Sequence, residues 1–140
     1  MKQILLLAFL FAFSPILSAQ SIVGEWKTID DETGKPKSII RIFKATNGKY
    51  YGKVIKVLDT SRGDNPICTK CTDDRKNKPI VEMVLIRDMM QSGSEWKGGK
   101  ILDPEKGQEY TCKLWLENGN LKVRGYWGFF YRTQTWYKAS

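Results

Sequence analysis

Short runs of alternating apolar and polar residues, each cut by turn-forming residues, occupy nearly all of this chain beyond residue 20. A period of two puts successive side chains on opposite faces of a strand, so such runs fold as half-buried β-strands. Nowhere do apolar residues recur at i, i+3, i+4 and i+7 over three turns between helix caps. The pattern predicts strands over Ile22 to Ile29, Ser38 to Lys44, Lys49 to Leu58, Ile80 to Asp88, Trp96 to Leu102, Glu109 to Glu117, Leu121 to Trp127 and Tyr131 to Lys138. In the second of these, Ile40 and Ile42 share one face while Ile39, Arg41 and Phe43 share the other. Asn47-Gly48 and Asn118-Gly119 are hairpin signals, because both residue types tolerate positive φ. Asp103-Pro104-Glu105-Lys106-Gly107 reads as a structural turn, with Asp103 capping the backbone, Pro104 presetting φ and Gly107 closing it. Met83 to Met90 is the one stretch that could instead start a short helix.

Eight short strands joined mostly by tight turns form an antiparallel up-and-down meander. A sheet of that width leaves two unpaired edges unless it curls and closes, so an all-β, eight-stranded barrel is expected, with a sandwich as the alternative. Eight strands enclose an interior that side chains fill or that just holds one small ligand. In the sixth strand Cys112 is in phase with Tyr110, Leu114 and Leu116, which makes it a free thiol on the buried face.

The N-terminus follows a different pattern. Lys2 precedes ten apolar residues, Ile4 to Phe13, and Ser14-Pro15 and Leu17-Ser18-Ala19 end the run. That is the order of a secretory signal peptide, and the run is half the length of a membrane-spanning helix. Residues 1–19 are therefore expected to be a signal peptide cleaved near Ala19, leaving residues 20–140 as a single domain in the periplasm or outside the cell. The chain carries 23 Lys and Arg against 15 Asp and Glu. Loss of the leader removes only Lys2, so the exported part keeps a net charge of +7. The basic residues are scattered singly, and an exported chain rarely meets nucleic acid, so no nucleic-acid partner is expected. Attraction to anionic envelope lipid is compatible with the charge.

Histidine is absent from the chain, which removes Ser-His and Cys-His nucleophile pairs, imidazole bases and histidine-ligated metals. No phosphate-binding loop or metal-ligand cluster stands in the sequence, and Asp103, Glu105 and Glu109 read as turn or strand-edge residues. No enzymatic activity, cofactor or metal is expected. Cys68-Thr69-Lys70-Cys71 lies in the longest loop, roughly residues 59 to 79. Zinc would need two further ligands, and a thioredoxin-type redox pair would need a helix N-terminus after a strand. A structural disulfide is favoured, because exported chains meet an oxidising compartment.

Gly24-x-Trp26 on the first strand, with Arg132 leading into Trp136 on the last, resembles the calycin group of lipocalins and fatty-acid-binding proteins. That resemblance implies a barrel whose base is closed by the Gly-x-Trp strand and an Arg from the far end of the chain packed over the Trp ring. A more specific resemblance adds Cys68-x-x-Cys71, Trp96-x-x-Gly99, Ile101-x-Asp103-Pro104-x-x-Gly107, Leu121-x-Val123-Arg124-Gly125-Tyr126 and Arg132-Thr133-Gln134-Thr135-Trp136. Taken in that order, these residues resemble the exported bacterial family called domain of unknown function 2147. The chain departs from that family at Val81-Glu82, where a glycine often follows the apolar pair, and at Tyr131, where glycine is common. The resemblance implies a small envelope barrel and brings no established activity.

The expected function is the binding of a small amphipathic or lipidic molecule, with Trp26, Arg124, Tyr126 and Trp136 as the ligand-binding residues. Arg124 alternates with Lys122 and Tyr126, opposite Leu121 and Val123. It faces out if those two face in, and an inward Arg124 would meet an anionic head group or Asp103. A filled barrel acting as a structural or partner-binding module, and a redox function of Cys68 and Cys71, are the alternatives. Seven aromatic residues between Tyr126 and Tyr137 cannot all be core, because a strand places neighbours on opposite faces. Replacing Cys68 and Cys71 by serine should increase proteolysis within residues 59–79 while leaving the barrel folded, since so short a ring contributes only about 2 kcal/mol. Global unfolding of that variant, read by circular dichroism, would contradict the staple reading.

Overall fold

The computed structural model describes residues 20–139, so the expected signal peptide lies outside the described residues. Strands β1 (Gly24–Ile29), β2 (Pro36–Lys44), β3 (Tyr50–Val57), β4 (Val84–Ser92), β5 (Glu95–Asp103), β6 (Gln108–Glu117), β7 (Asn120–Trp127) and β8 (Phe130–Lys138) form a closed antiparallel barrel in chain order. Trp26 opposite Lys138 and Lys27 opposite Tyr137 close the ring between β1 and β8. Among the described residues no helix is long and apolar enough to cross a membrane.

Antiparallel meander topology sorts the connections into two ends. The β2–β3, β4–β5 and β6–β7 turns and the N-terminal segment lie at one end, here the base. The β1–β2, β3–β4, β5–β6 and β7–β8 connections surround the other, here the mouth. The base is packed solid. Ile22 is fully buried beneath the barrel, and the Trp26 indole N–H donates to its carbonyl at 2.8 Å. Tyr50 and Trp96 meet edge to face at 5.9 Å, and Ile42, Met89, Leu114 and Leu121 complete the buried packing. As the alternation in β2 requires, Ile40 and Ile42 are buried, and Cys112 is a buried free thiol beside Leu114.

Seven of the strands match the sequence pattern to within two residues, and β4 does not. It runs four residues later than the apolar pattern predicts. Ile80 to Met83 form a turn instead, with Met83 N–H donating to the Ile80 carbonyl at 3.0 Å and Glu82 at φ 73°. Ile80 and Met83 are still buried, so their hydrophobicity serves the loop's packing rather than a strand's. Glu82 stands where the resembled family often has glycine, the residue that adopts such a φ without steric cost. Met83 to Met90 forms no helix.

The loop between β3 and β4 holds the disulfide between Cys68 and Cys71, both sulfur-bearing side chains being buried. Ile67 pairs with Pro79 across the loop, and Cys68 exchanges backbone hydrogen bonds with Lys78 and Asn77 at 2.9 and 2.7 Å. The loop leans on the β5–β6 turn. There the Asp103 carboxylate accepts from the Glu105 and Lys106 N–H groups, and Gly107 N–H donates to the Asp103 carbonyl at 2.8 Å. Gly107 has φ +66°, and a Cβ on it would stand 1.8 Å from the Lys70 carbonyl oxygen. Gly107→Ala should therefore cost about 2–4 kcal/mol of stability, from left-handed strain plus a forced shift of the loop. Gly48→Ala, at φ +82° with open space around it, should cost only about 1 kcal/mol. Urea unfolding of the two variants checks the difference, and equal losses would mean that the turn and the loop are not coupled.

Candidate functional site

The mouth half of the barrel is hollow. A cavity of about 320 Å³ opens at the mouth beside the β1–β2, β5–β6 and β7–β8 connections, at the lower end of the range for sites that bury small organic molecules. Its deepest lining is Ile40, Val123 and Trp136, with Leu85, Ile101 and Tyr110 higher on the wall. Gly125 belongs to the same wall, and its missing side chain leaves space against Tyr110 and Ile101. The rim carries Lys37, Asp103, Lys106, Arg132, Trp127 and Phe130. The site is apolar inside and charged at its opening.

Two polar features reach into it. Thr28, buried except for 6% of its surface, shares a hydrogen bond with the Ser38 hydroxyl at 2.7 Å. On the neighbouring strand β8, the Trp136 indole N–H donates to Gln134 Oε1 at 3.0 Å, and the Gln134 amide donates to Asp31 Oδ2 at 2.7 Å. Arg132 pairs with the same Asp31 oxygen. This chain of side chains ties β8 to the β1–β2 turn at the mouth, where the backbone ladder between β1 and β8 has already ended at Lys27 and Tyr137. Asp30 anchors that turn by accepting the Glu32 and Thr33 N–H groups. The hydrogen bond from Thr33, then that from Glu32, holds its carboxyl below the usual range.

Of the four residues expected at a ligand, Trp136 lines the cavity and the other three stand elsewhere. Trp26 is buried in the base, held by Ile22. Arg124 and Tyr126 lie on the outer face of β7, because Leu121 and Val123 take the inner face and alternation puts their neighbours outside. The Arg124 guanidinium is stacked between the Trp115 and Tyr131 rings, at 4.8 and 4.4 Å, and its Nε donates to Thr133. Arg132 does not cover Trp26. It is six residues from Lys138, the partner of Trp26, which is roughly 20 Å along a strand. Thr28 and Ser38 carry no signal in the sequence, and Gln134 stands there only as part of the series that carries the family resemblance. For Gln134 the signal was available, since it alternates in phase with Trp136 and Arg132 on β8.

The disulfide loop is clamped to the barrel wall beside the mouth. Arg75 donates to the Val84 carbonyl at 2.8 Å and pairs with Asp73 and Glu109 at 2.6 and 2.8 Å, while Arg87 takes the other Glu109 oxygen at 2.7 Å. The Arg75 hydrogen bond lowers the Asp73 carboxyl to about 2. For Glu109, burial pushes upward, and the hydrogen bonds from Arg75 and Arg87 outweigh it, leaving the carboxyl below its ordinary value. Burial pushes the Cys112 thiol far up, which leaves it inert as a nucleophile.

The fold and this site define a class, the lipocalin-like barrel with a closed base and a hollow mouth. A solved structure with a similar fold, titled "Protein HP1028 from the human pathogen Helicobacter pylori belongs to the lipocalin family", superposes with a TM-score of 0.73. It is 22% identical and matches 86% of this chain and 84% of its own. Residues 24–138 match the family described as "uncharacterized protein conserved in bacteria" (DUF2147), and the chain belongs to that family. No curated protein matches the chain.

A pH dependence follows from the Arg75 clamp. Both its carboxyls titrate lower in the folded than in the unfolded chain, so the unfolded chain binds more protons as the pH falls below about 4. The clamp's stabilisation should be complete above that pH and should be lost as the pH drops towards the Asp73 value of about 2. Urea midpoints measured from pH 5 to pH 2 should fall for the native protein. They should start lower and fall less for Arg75→Met, and parallel curves would contradict the assignment.

Proposed function

We propose that this protein is an exported, non-enzymatic carrier that binds a small amphipathic molecule in the mouth cavity. The single observation that carries this reading is the unfilled volume of about 320 Å³ bounded by Ile40, Leu85, Ile101, Val123 and Trp136 below a charged rim. An apolar body entering that space releases water from apolar walls at about 25 cal/mol per Å², while a polar end stays beside Lys37, Lys106 and Arg132. The size favours one chain or a compact ring system over a two-chain lipid. The Thr28–Ser38 hydroxyl pair and the Gln134 amide supply the few polar contacts that orient a ligand in such a pocket.

The cavity weighs against a filled barrel serving only as a structural module. Burial of both Cys68 and Cys71 weighs against a redox pair, which needs an accessible sulfur. Of the residues first expected at the ligand, Trp136 keeps that role here, and Trp26 closes the base beneath it.

Titration with a single-chain fluorescent fatty-acid analogue tests the reading. The native protein should bind with a micromolar or tighter Kd. Gly125→Leu, which projects a side chain into the cavity from a backbone position with negative φ, should weaken binding at least tenfold with the fold intact. Binding that survives Gly125→Leu unchanged would place the ligand elsewhere.

A further inference from the structure

The β7–β8 hairpin ends in the most exposed apolar group among the described residues. Phe129 at its tip is 102% exposed, Phe130 75%, Trp127 63% and Tyr131 62%. Single exposed apolar residues are ordinary, but four adjacent large rings at one tip mark a contact surface. Two of them, Trp127 and Phe130, also belong to the cavity rim. The apolar tip and the apolar cavity are therefore continuous.

Below the tip, the strand register stacks the outer face of β6–β8 in rows. Tyr126 stands opposite Tyr131, and on the next outward row Arg124 lies between Lys113 and Thr133. The following row holds Trp115, Lys122 and Thr135. Rows two residues apart are separated by about 7 Å. The order from the tip is thus phenyl and indole rings, then tyrosines, then cations. Hydrocarbon, headgroup boundary and phosphate follow one another in the same order at a bilayer surface, where Tyr and Trp occupy the boundary and basic residues meet the phosphates.

The cations are arranged at an electrostatic cost. Lys113 and Arg124 are directly opposite each other, a like-charge pairing that destabilises a sheet. Lys113 is compensated by Glu95 at 2.6 Å. Arg124 has rings and the Thr133 hydroxyl as partners, and Lys122 has the Thr135 hydroxyl at 2.6 Å; among the described residues neither forms an ion pair, and Glu95 acts on Arg124 only as a nearby charge. Stacking on Trp115 and Tyr131 holds the Arg124 guanidinium in place before any partner arrives. The neighbouring β1–β2 turn bears Asp30, Asp31 and Glu32, and Asp31 is paired there with Arg132 of β8. The outer face of β6–β8 therefore offers Lys122 and Arg124, neither held in an ion pair among the described residues, to an anionic surface.

We infer that the β7–β8 hairpin and the outer face below it form a docking surface for an anionic lipid bilayer, which sets the cavity mouth against the membrane. The inference rests on the cavity reading only for the direction of ligand transfer. A ligand leaving the bilayer would pass Trp127 and Phe130 into the barrel without crossing bulk water.

Co-sedimentation with vesicles tests it, using the full chain as processed by its host. Vesicles of phosphatidylcholine alone are compared with vesicles containing one-third phosphatidylglycerol. The protein should bind the anionic vesicles, with at least tenfold weaker partitioning for Phe129→Ser and at least fivefold weaker partitioning for Lys122→Gln combined with Arg124→Gln. Lys122→Gln alone, which leaves the stacked guanidinium in place, should give part of that loss. Equal binding to both vesicle types, or unchanged binding by Phe129→Ser, would overturn the proposal. So would a concentration-dependent dimer that Phe129→Ser abolishes, without vesicle binding, since the tip would then serve a second copy of the chain. Phe129 does not line the cavity, so Phe129→Ser should bind the fluorescent fatty acid in solution as the native protein does. Loss of vesicle binding with that probe binding intact leaves the carrier reading standing, and the reverse result leaves the docking surface standing.

Discussion

Closure of the ring rests on a short seam, with Trp26 opposite Lys138, Lys27 opposite Tyr137 and the Ala139 N–H donating to the Glu25 carbonyl at 2.9 Å. Without it β1 and β8 would be two open edges, each offering unpaired N–H and C=O groups to other chains. The pairs lie next to the base, and Trp26 links them to the plug through its hydrogen bond to Ile22. Beyond them β1 and β8 separate towards the mouth. There the join passes to side chains, with Asp31 holding both Arg132 and Gln134. The barrel is consequently zipped by backbone at one end and tied by a single carboxylate at the other.

That asymmetry accounts for the two halves of the interior. In the base Trp26, Trp96, Met89 and Leu114 belong to one buried cluster with almost no exposed surface. Towards the mouth, small or polar residues, Thr28, Ser38, Gly125 and Gln134, are interspersed with the apolar wall of Leu85, Ile101 and Tyr110. Polar side chains at inward positions weaken a core, and here they border a space rather than a packed interior. The disulfide loop and the β5–β6 turn, locked together at Gly107 and Lys70, keep one side of the opening rigid. The β7–β8 hairpin on another side presents aromatic rings to solvent. A stiff, half-filled barrel with a soft apolar lip is suited to holding something small and exchanging it at a surface.

Much of this was legible in the residues. Alternation in β2 and β6 sorts the two faces correctly, including the buried Cys112, and in β7 it leaves Arg124 open until Leu121 and Val123 are known to face in. The turn signals mark the hairpins because a turn is local and its residue requirements are strict. Ile80 to Met83 misled because burial by a loop and burial in a strand demand the same apolar residues, and Glu82 lacks the glycine that would have marked the turn. Trp26, Arg124 and Tyr126 were expected at the ligand for their chemistry, but their positions depend on which end of the barrel is filled. That is a property of eight strands facing each other, and no single strand encodes it. The same holds for Asp31, whose partners Arg132 and Gln134 lie a hundred residues away along the chain. The Trp115–Arg124–Tyr131 stack likewise depends on three strands lying in register.

The central claim is that the mouth cavity is occupied in life. The most direct measurement is the intact mass of the protein, purified from its own cells, under native and then denaturing conditions. The account predicts a discrete extra mass under native conditions that is released on denaturation, beside a chain lighter by two hydrogen atoms for the Cys68–Cys71 disulfide. A bare chain under both conditions, from several preparations, would contradict it.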